Sequence, residues 1–305
     1  MDFTGTTTAL AYLQSRFPKG ADRLAELVAA GQVYDRLGNS IPAAAPVMRG
    51  DMLYLFRDPP TDEPTVASLA DIEVLFRDDH LLVVDKPHQV SVIPRGRWVT
   101  QTALVYLRNA LSLPELSPLH RLDRPTAGVL AFSVRPEERG AYQMLFQSRA
   151  VAKTYLAVTA AAPPAAEAPT RISTRIVKLR GLAPAQQVPG EPNAHTEVRW
   201  LATRGGRSLF ELRPSTGKTH QLRLHMHHLG LPILGDPFWP EMRPELLSDP
   251  DPYPPLQLLA AQLEFTDPIA GESRAFNSRR TLSTWERAGE VRDSGPCRGS
   301  RHAPE

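Results

Sequence analysis

From residue 72 onward, apolar strand-like runs and helical stretches follow one another without regular strand–helix–strand alternation, and this order narrows the possible folds most. A doubly wound parallel sheet requires that alternation, so the expected class is α+β. Ile72-Glu73-Val74-Leu75-Phe76 and Leu81-Leu82-Val83-Val84-Asp85-Lys86-Pro87 read as the two strands of a hairpin. Gln101 to Leu111 and Glu137 to Arg149 read as helices, and Ala160 to Pro169, rich in Ala and Pro, as a surface loop. Upstream lies a smaller module, Thr8 to Phe56. It has two helical segments, the second closed by Gly31, and two short strands, Gln32-Val33-Tyr34 and Met52 to Phe56. The rigid polar stretch Asp58-Pro59-Pro60-Thr61-Asp62-Glu63-Pro64 separates the two parts. The expected division is therefore a small module with its linker over 1–61, a main domain over 62–286, and a frayed polar tail over 287–305.

Charge points to a partner. The net charge is only +2, yet between Arg171 and His228 ten Lys/Arg face three Asp/Glu, and five of the nine histidines lie there. A local excess of this kind suits a polyanion such as RNA, although a solvated basic face has the same composition. The single cysteine, Cys297, excludes a disulfide framework and a cysteine-rich zinc site, and fits a reducing cytoplasm. Met1 to Leu13 lacks a basic start followed by an apolar run, so no secretory leader is expected. No stretch approaches the roughly 20 apolar residues needed to span a bilayer, and no membrane association is expected.

The most informative segment is His120-Arg121-Leu122-Asp123-Arg124-Pro125-Thr126-Ala127-Gly128, followed by the strand-like Val129-Leu130-Ala131-Phe132. An acid between two arginines near a Pro–Gly turn reads either as an ionised carboxylate on a constrained loop or as a surface loop with incidental ion pairs.

That segment resembles the signature of the RluA-type RNA pseudouridine synthases, H-R-L-D-x-x-[ST]-[SA]-G. Leu82 to Pro87 resembles the strand that precedes it in the family, and Lys153-Thr154-Tyr155 the second motif. Leu212 to Asp236 resembles the third motif, through Gly217-Lys218-Thr219-His220-Gln221-Leu222-Arg223, then His225, then Pro232-Ile233-Leu234-Gly235-Asp236. The likeness runs from Asp71 to about Trp285. The amino-terminal module resembles the helix–helix–hairpin RNA-binding module of ribosomal protein S-four type, with six Lys/Arg against five Asp/Glu through Arg57.

The resemblance implies a pseudouridine synthase fold, with a mixed, largely antiparallel central sheet crossed by a catalytic cleft. It also implies isomerisation of uridine in rRNA or tRNA to pseudouridine, by a monomer of the kind that needs neither cofactor nor metal. Asp123 matches the catalytic aspartate, which attacks either the anomeric carbon of the ribose or the uracil ring. Tyr155 matches the aromatic that stacks on the target base, and Arg223 the basic partner that keeps the aspartate ionised. Arg121 matches the residue pushed into the gap left by a flipped-out base. His120, Arg124, Lys153, Lys218, His220 and Gln221 are the further expected RNA contacts. Lys218 stands where relatives commonly carry Arg, which keeps the charge and loses the bidentate fork.

His225 and His228, three apart on a helix, invite a metal reading, but no nearby Glu or Cys completes a ligand set. Ser215 or Thr216 is the expected cap of that helix and Gly230 its end. Two other functions are compatible with the residues: an RNA-binding protein without catalysis, and an N-glycosidic hydrolase. The first does not require Asp123, Tyr155 and Arg223 together. The second needs a paired carboxylate, and within ten residues of Asp123 only Glu115 is available.

Overall fold

The chain divides into two units, Met1–Pro60 and Thr61–Glu305. They are seen in a computed structural model that describes residues 7–55, 63–96, 98–160, 170–179, 184–243 and 254–290. In the first unit, β1 (Thr7–Thr8) leads into α1 (Ala9–Arg16), where the Thr8 hydroxyl accepts from the Ala11 N–H at 3.3 Å and caps the first turn. A 3-10 turn at Pro18–Gly20 leads to α2 (Ala21–Ala29), and Gly31 follows at φ 69°, where a glycine closes a helix with least strain. β2 (Val33–Tyr34) pairs antiparallel with β4 (Tyr54–Leu55), the hairpin strands expected from the sequence. β3 (Pro46–Val47) pairs with β1, a pairing the sequence did not suggest. Leu13, Leu24, Leu27, Val28 and Val33 form this unit's own small core.

The second unit carries β5 (Glu73–Arg77), β6 (Leu81–Lys86), α3 (Ala103–Leu111), β7 (Ser117–Pro118), β8 (Ala127–Ser133), α4 (Arg139–Gln147) and β9 (Ala152–Thr159). After these come β10 (Thr170–Val177), β11 (Gln186–Val188), β12 (Ala194–Arg204), β13 (Arg207–Pro214), α5 (Gln221–His228), β14 (Leu258–Thr266), β15 (Ser273–Asn277) and α6 (Ser283–Glu290). Eleven strands make one sheet in the order β11-β10-β12-β13-β9-β14-β8-β6-β5, with β15 on β14 and β7 on β8. Among these pairings only β8–β14 is parallel. The class is α+β, with a mixed and mostly antiparallel sheet.

β6 and β8 are buried along their whole length, which explains their unbroken apolar runs. Alternate residues serve opposite faces. Leu82, Val84, Leu130 and Phe132 pack with Leu104 and Leu107 of α3, while Leu81, Val83, Val129 and Ala131 pack with Tyr142 of α4. Farther along the sheet, Leu222 and Met226 of α5 pack on Val198, Phe210 and Leu212. The two halves join where β8 meets β14, with Ala260 opposite Gly128. Gly128 has φ 115°, and any Cβ there would fall on the Ala260 backbone, so this motif position accepts only glycine.

Several expectations need correction. The cap of α5 is neither Ser215 nor Thr216 but His220, in the left-handed region at φ 56° with no side-chain capping bond; Gly230 does lie just past the end, at φ 74°. The stretch expected as helix from Glu137 is a 3-10 turn, Pro136–Glu138, before α4 begins. Arg287, the expected start of a frayed tail, lies within α6, which runs to Glu290. Most of the expected linker, the loop from Ala161 to Pro169, and the chain beyond Glu290 lie outside the described residues. No described helix is long and apolar enough to cross a membrane.

Candidate active site

Asp123 stands on the loop that enters β8. Its carbonyl accepts from the Thr126 N–H at 3.0 Å, closing a turn around Arg124-Pro125. Three bonds from the end of β6 and the segment after it fasten this turn. The Lys86 ammonium, wholly buried, donates to the carbonyls of Pro87 and Val90 at 2.9 Å and of Arg124 at 3.2 Å. His88 donates from Nδ1 to the Pro125 carbonyl at 2.7 Å, and Arg124 donates from Nε to the Gln89 carbonyl at 3.1 Å. Burial, only partly offset by the charge of Asp123, lowers the Lys86 pKa to about 7.

Arg223 reaches Asp123 from α5. Its Nε and Nη2 grip both oxygens of Asp236, at 2.8 and 2.7 Å, and its Nη1 donates to Asp123 Oδ2 at 3.0 Å. Arg223 and Asp236 side chains are each 1% exposed, whereas Asp123 is 29% exposed, so one carboxylate is locked away and the other faces the cleft. Burial opposes the Arg223 charge, but the hydrogen bonds and charges of the two aspartates outweigh it and raise its pKa. The guanidinium also lies 4.9 Å from the Phe238 ring centroid and 5.5 Å from that of Trp239.

Tyr155 lies on β9, opposite Leu212 of β13 and Ala260 of β14, and packs against the cores of both halves of the sheet. It lines the same cleft as Asp123 and Arg223, a space of about 960 Å³. Burial, with the charge of Asp123 as a second cause, raises its phenol pKa. The cleft's described lining is strongly one-signed. Arg95, Arg121, Arg149, Lys153, Lys178 and Lys218 add to Arg124 and Arg223, and Asp123 is the only acid. Such a surface attracts a polyanion and presents it with one carboxylate.

The remaining expected contacts all line the cleft, and some of them also bond within the protein. Arg121 and Lys218 are exposed on its wall. Lys153 is half-buried, and burial lowers its pKa. Arg124 instead stacks 4.3 Å above the Trp98 ring while holding Gln89, so it pins the loop. Gln221 is wholly engaged within the protein: its amide nitrogen donates to His195 O and Thr196 Oγ1, and its oxygen accepts from Thr216 Oγ1 and Lys218 N–H. His120 accepts from the Ala131 N–H through Nε2 and stacks on Phe146 at 5.0 Å, and burial lowers its pKa to about 3. Arg124, Gln221 and His120 thus line the cleft while also bonding within the protein around it. His225 lies between Thr174 and Thr196, with both ring nitrogens at 2.9 Å from a hydroxyl oxygen, whereas His228 is exposed. Among the described residues no group of three or more His, Cys, Asp or Glu is placed to hold a metal ion.

Sequence reasoning assigned no role to Lys86 or Asp236. The available signal was a charged pair ending the apolar run of β6, and an acid in the third motif that follows Gly235. Gly235 has φ 73°, and a Cβ there would strike the carbonyls of Pro254 and Pro255.

A family model described as RNA pseudouridylate synthase matches residues 80–228. The dual-specificity RNA pseudouridine synthase RluA of Salmonella typhi is 34% identical over 209 residues, which cover 67% of this chain and 90% of that one. Pseudouridylate synthase RPUSD2 of Mus musculus is 33% identical over 177 residues, 58% of this chain, and the chain spans only 32% of that relative's length. Among solved structures, human RNA pseudouridylate synthase domain containing 4 superposes with a TM-score of 0.55 at 27% identity, covering 74% of this chain and 95% of that one.

Proposed function

The chain belongs to the RluA-type family of RNA pseudouridine synthases, and we propose that it isomerises uridine to pseudouridine within RNA, with Asp123 as the nucleophile. The reaction breaks the N1–C1′ bond and forms a C5–C1′ bond. The C5 proton is lost and N1 gains one, so atoms balance without an outside reactant. A carboxylate oxygen supplies the electron pair for attack on the ribose anomeric carbon or the uracil ring, Tyr155 stacks on the base, and Arg223 holds the carboxylate charged. Arg121, Lys153 and Lys218 grip the RNA strand, with Arg121 filling the space left by the flipped nucleotide. Ribosomal and transfer RNA are the substrates to assay, and a relative named for dual specificity is a reason to assay both. A monomer in the cytoplasm accompanies this reading.

One observation carries it: a single carboxylate in a cationic cleft, aimed by a buried arginine that a second, inaccessible carboxylate fixes in place. The same observation weighs against a glycosidase, since no second acid is among the described residues lining the cleft. The test is Asp123→Asn, with ribosomal and transfer RNA from cells lacking the protein incubated with each form and their pseudouridines mapped. Wild type should convert one or more uridines, while the variant converts none and keeps RNA affinity within a few-fold, because phosphates supply most affinity. Conversion by the variant at more than a trace rate would overturn the assignment.

A further inference from the structure

We infer that His220 is a positioning residue for Asp123, whose Nε2–H, held in one tautomer, shares Oδ2 with Arg223 and leaves Oδ1 to meet the substrate. The inference rests on Asp123 being the nucleophile. The Ala185 backbone N–H donates to His220 Nδ1 at 3.2 Å, so Nδ1 carries a lone pair and the ring proton sits on Nε2. That Nε2 lies 3.9 Å from Asp123 Oδ2, the same oxygen that accepts from Arg223 Nη1 at 3.0 Å. Oδ1 has no hydrogen bond among the described residues.

The ring has little freedom. It is 11% exposed and sits against Phe238, with centroids 5.1 Å apart, and Trp239, with centroids 6.0 Å apart. Its backbone occupies the left-handed region at φ 56°, immediately before α5, while its carbonyl accepts the first helical bond, from Leu224. A glycine would sit there with less strain, so the position retains a side chain at a conformational cost. Burial, opposed by the charge of Asp123, lowers the imidazole pKa to about 4 and keeps the ring neutral at pH 7. A neutral ring with its proton on Nε2 is neither a base toward Asp123 nor a cation for phosphate; it is a single directed donor. The separation of 3.9 Å is too long for a hydrogen bond in the free protein, so the inferred bond is one that forms only when substrate fills and dries the cleft.

His220→Asn is the variant to make, because asparagine tolerates the left-handed backbone and its amide is too short to span from Ala185 to Asp123. At saturating RNA the single-turnover rate should fall about 10–100-fold, with the RNA dissociation constant within a few-fold. A wild-type rate, or a loss confined to affinity, would overturn the inference. In wild type at pH 7, nitrogen-15 spectra should show Nδ1 as the bare nitrogen and Nε2 as the N–H; the opposite tautomer would overturn it even if the variant fails to fold. Asp123→Asn run in parallel separates the two levels. Turnover by that variant refutes the proposed reaction, whereas an inert Asp123→Asn beside a fully active His220→Asn refutes the role of His220 alone.

Discussion

Burial and the negative charge of Asp123 together hold the Tyr155 phenol as O–H in the free protein. The second cause is temporary, because a carboxylate that has formed a bond to the nucleotide no longer carries its charge. Tyr155 then gives up its own proton more readily, to the N1 that must gain one, and the phenolate left behind can accept the C5 proton. From this coupling, Tyr155→Phe should keep RNA affinity within a few-fold, since the ring still stacks, and slow single turnover by about 10²–10⁴-fold. Tyr155→Ala should lose affinity as well. Equal rates for Phe and Tyr would leave stacking as the only role. That Asp123, Tyr155 and Arg223 share one cleft was legible in the sequence, because each stands in a motif of recognisable composition. The supporting charges were not. Asp236 is 13 residues from Arg223, and Lys86 is 38 residues from the carbonyl it holds in the Asp123 turn, so only the fold makes them partners. Gln221, Arg124 and His120 have bonds within the protein that their motifs did not show. Polar residues beside a reactive group look like ligand contacts in a sequence, yet a well-defined loop needs some of them to secure itself.

The loop bearing Asp123 owes its position to β6 and β8, whose register sets Lys86 opposite Gly128 and brings the lysine ammonium under the turn. On its other edge β8 meets β14 in a parallel pairing, where Gly128 passes against Ala260 without room for a side chain. Gly128→Ala should therefore either part β8 from β14 or displace the turn. The expected result is a loss of stability of about 1–3 kcal/mol and a larger loss of turnover than of RNA affinity, read from urea unfolding and single-turnover assays. Wild-type stability and rate would show that the junction yields easily. β6 and β8 were legible because burial on both faces leaves an unbroken apolar run, whereas α3 begins two residues later than expected, where Thr102 caps its start, accepting from the Val105 N–H at 3.4 Å. β3 and β7 were not, since each has two residues and exists only through its partner. The misplaced cap of α5 has a local cause. Thr216 has the right chemistry, but its hydroxyl is taken by His195 N–H and Gln221 Oε1, and the chain enters the helix through His220 instead.

Every described residue lining the cleft belongs to the second unit, and the first unit has its own core around Leu13, Leu24 and Leu27. Catalytic geometry and any added RNA grip can therefore be separated by removing Met1–Pro60. The cleft keeps both halves of its sheet and both buried clusters beneath Tyr155, so the shortened protein should fold and retain its single-turnover rate at saturating RNA. The effect on affinity depends on where the first unit's charge lies, since six Lys/Arg and five Asp/Glu through Arg57 nearly cancel. If those cations are on one face they reach phosphates despite the small net charge, and the salt slope falls by about 0.7–0.9 for every phosphate they no longer neutralise. The expected result is weaker binding at physiological salt with a shallower slope, measured by titrating the same RNA at several salt concentrations. Unchanged affinity and slope would show that the first unit does not read RNA. A reduced rate at saturation would mean that it helps to shape the cleft, contrary to the independence its separate core implies.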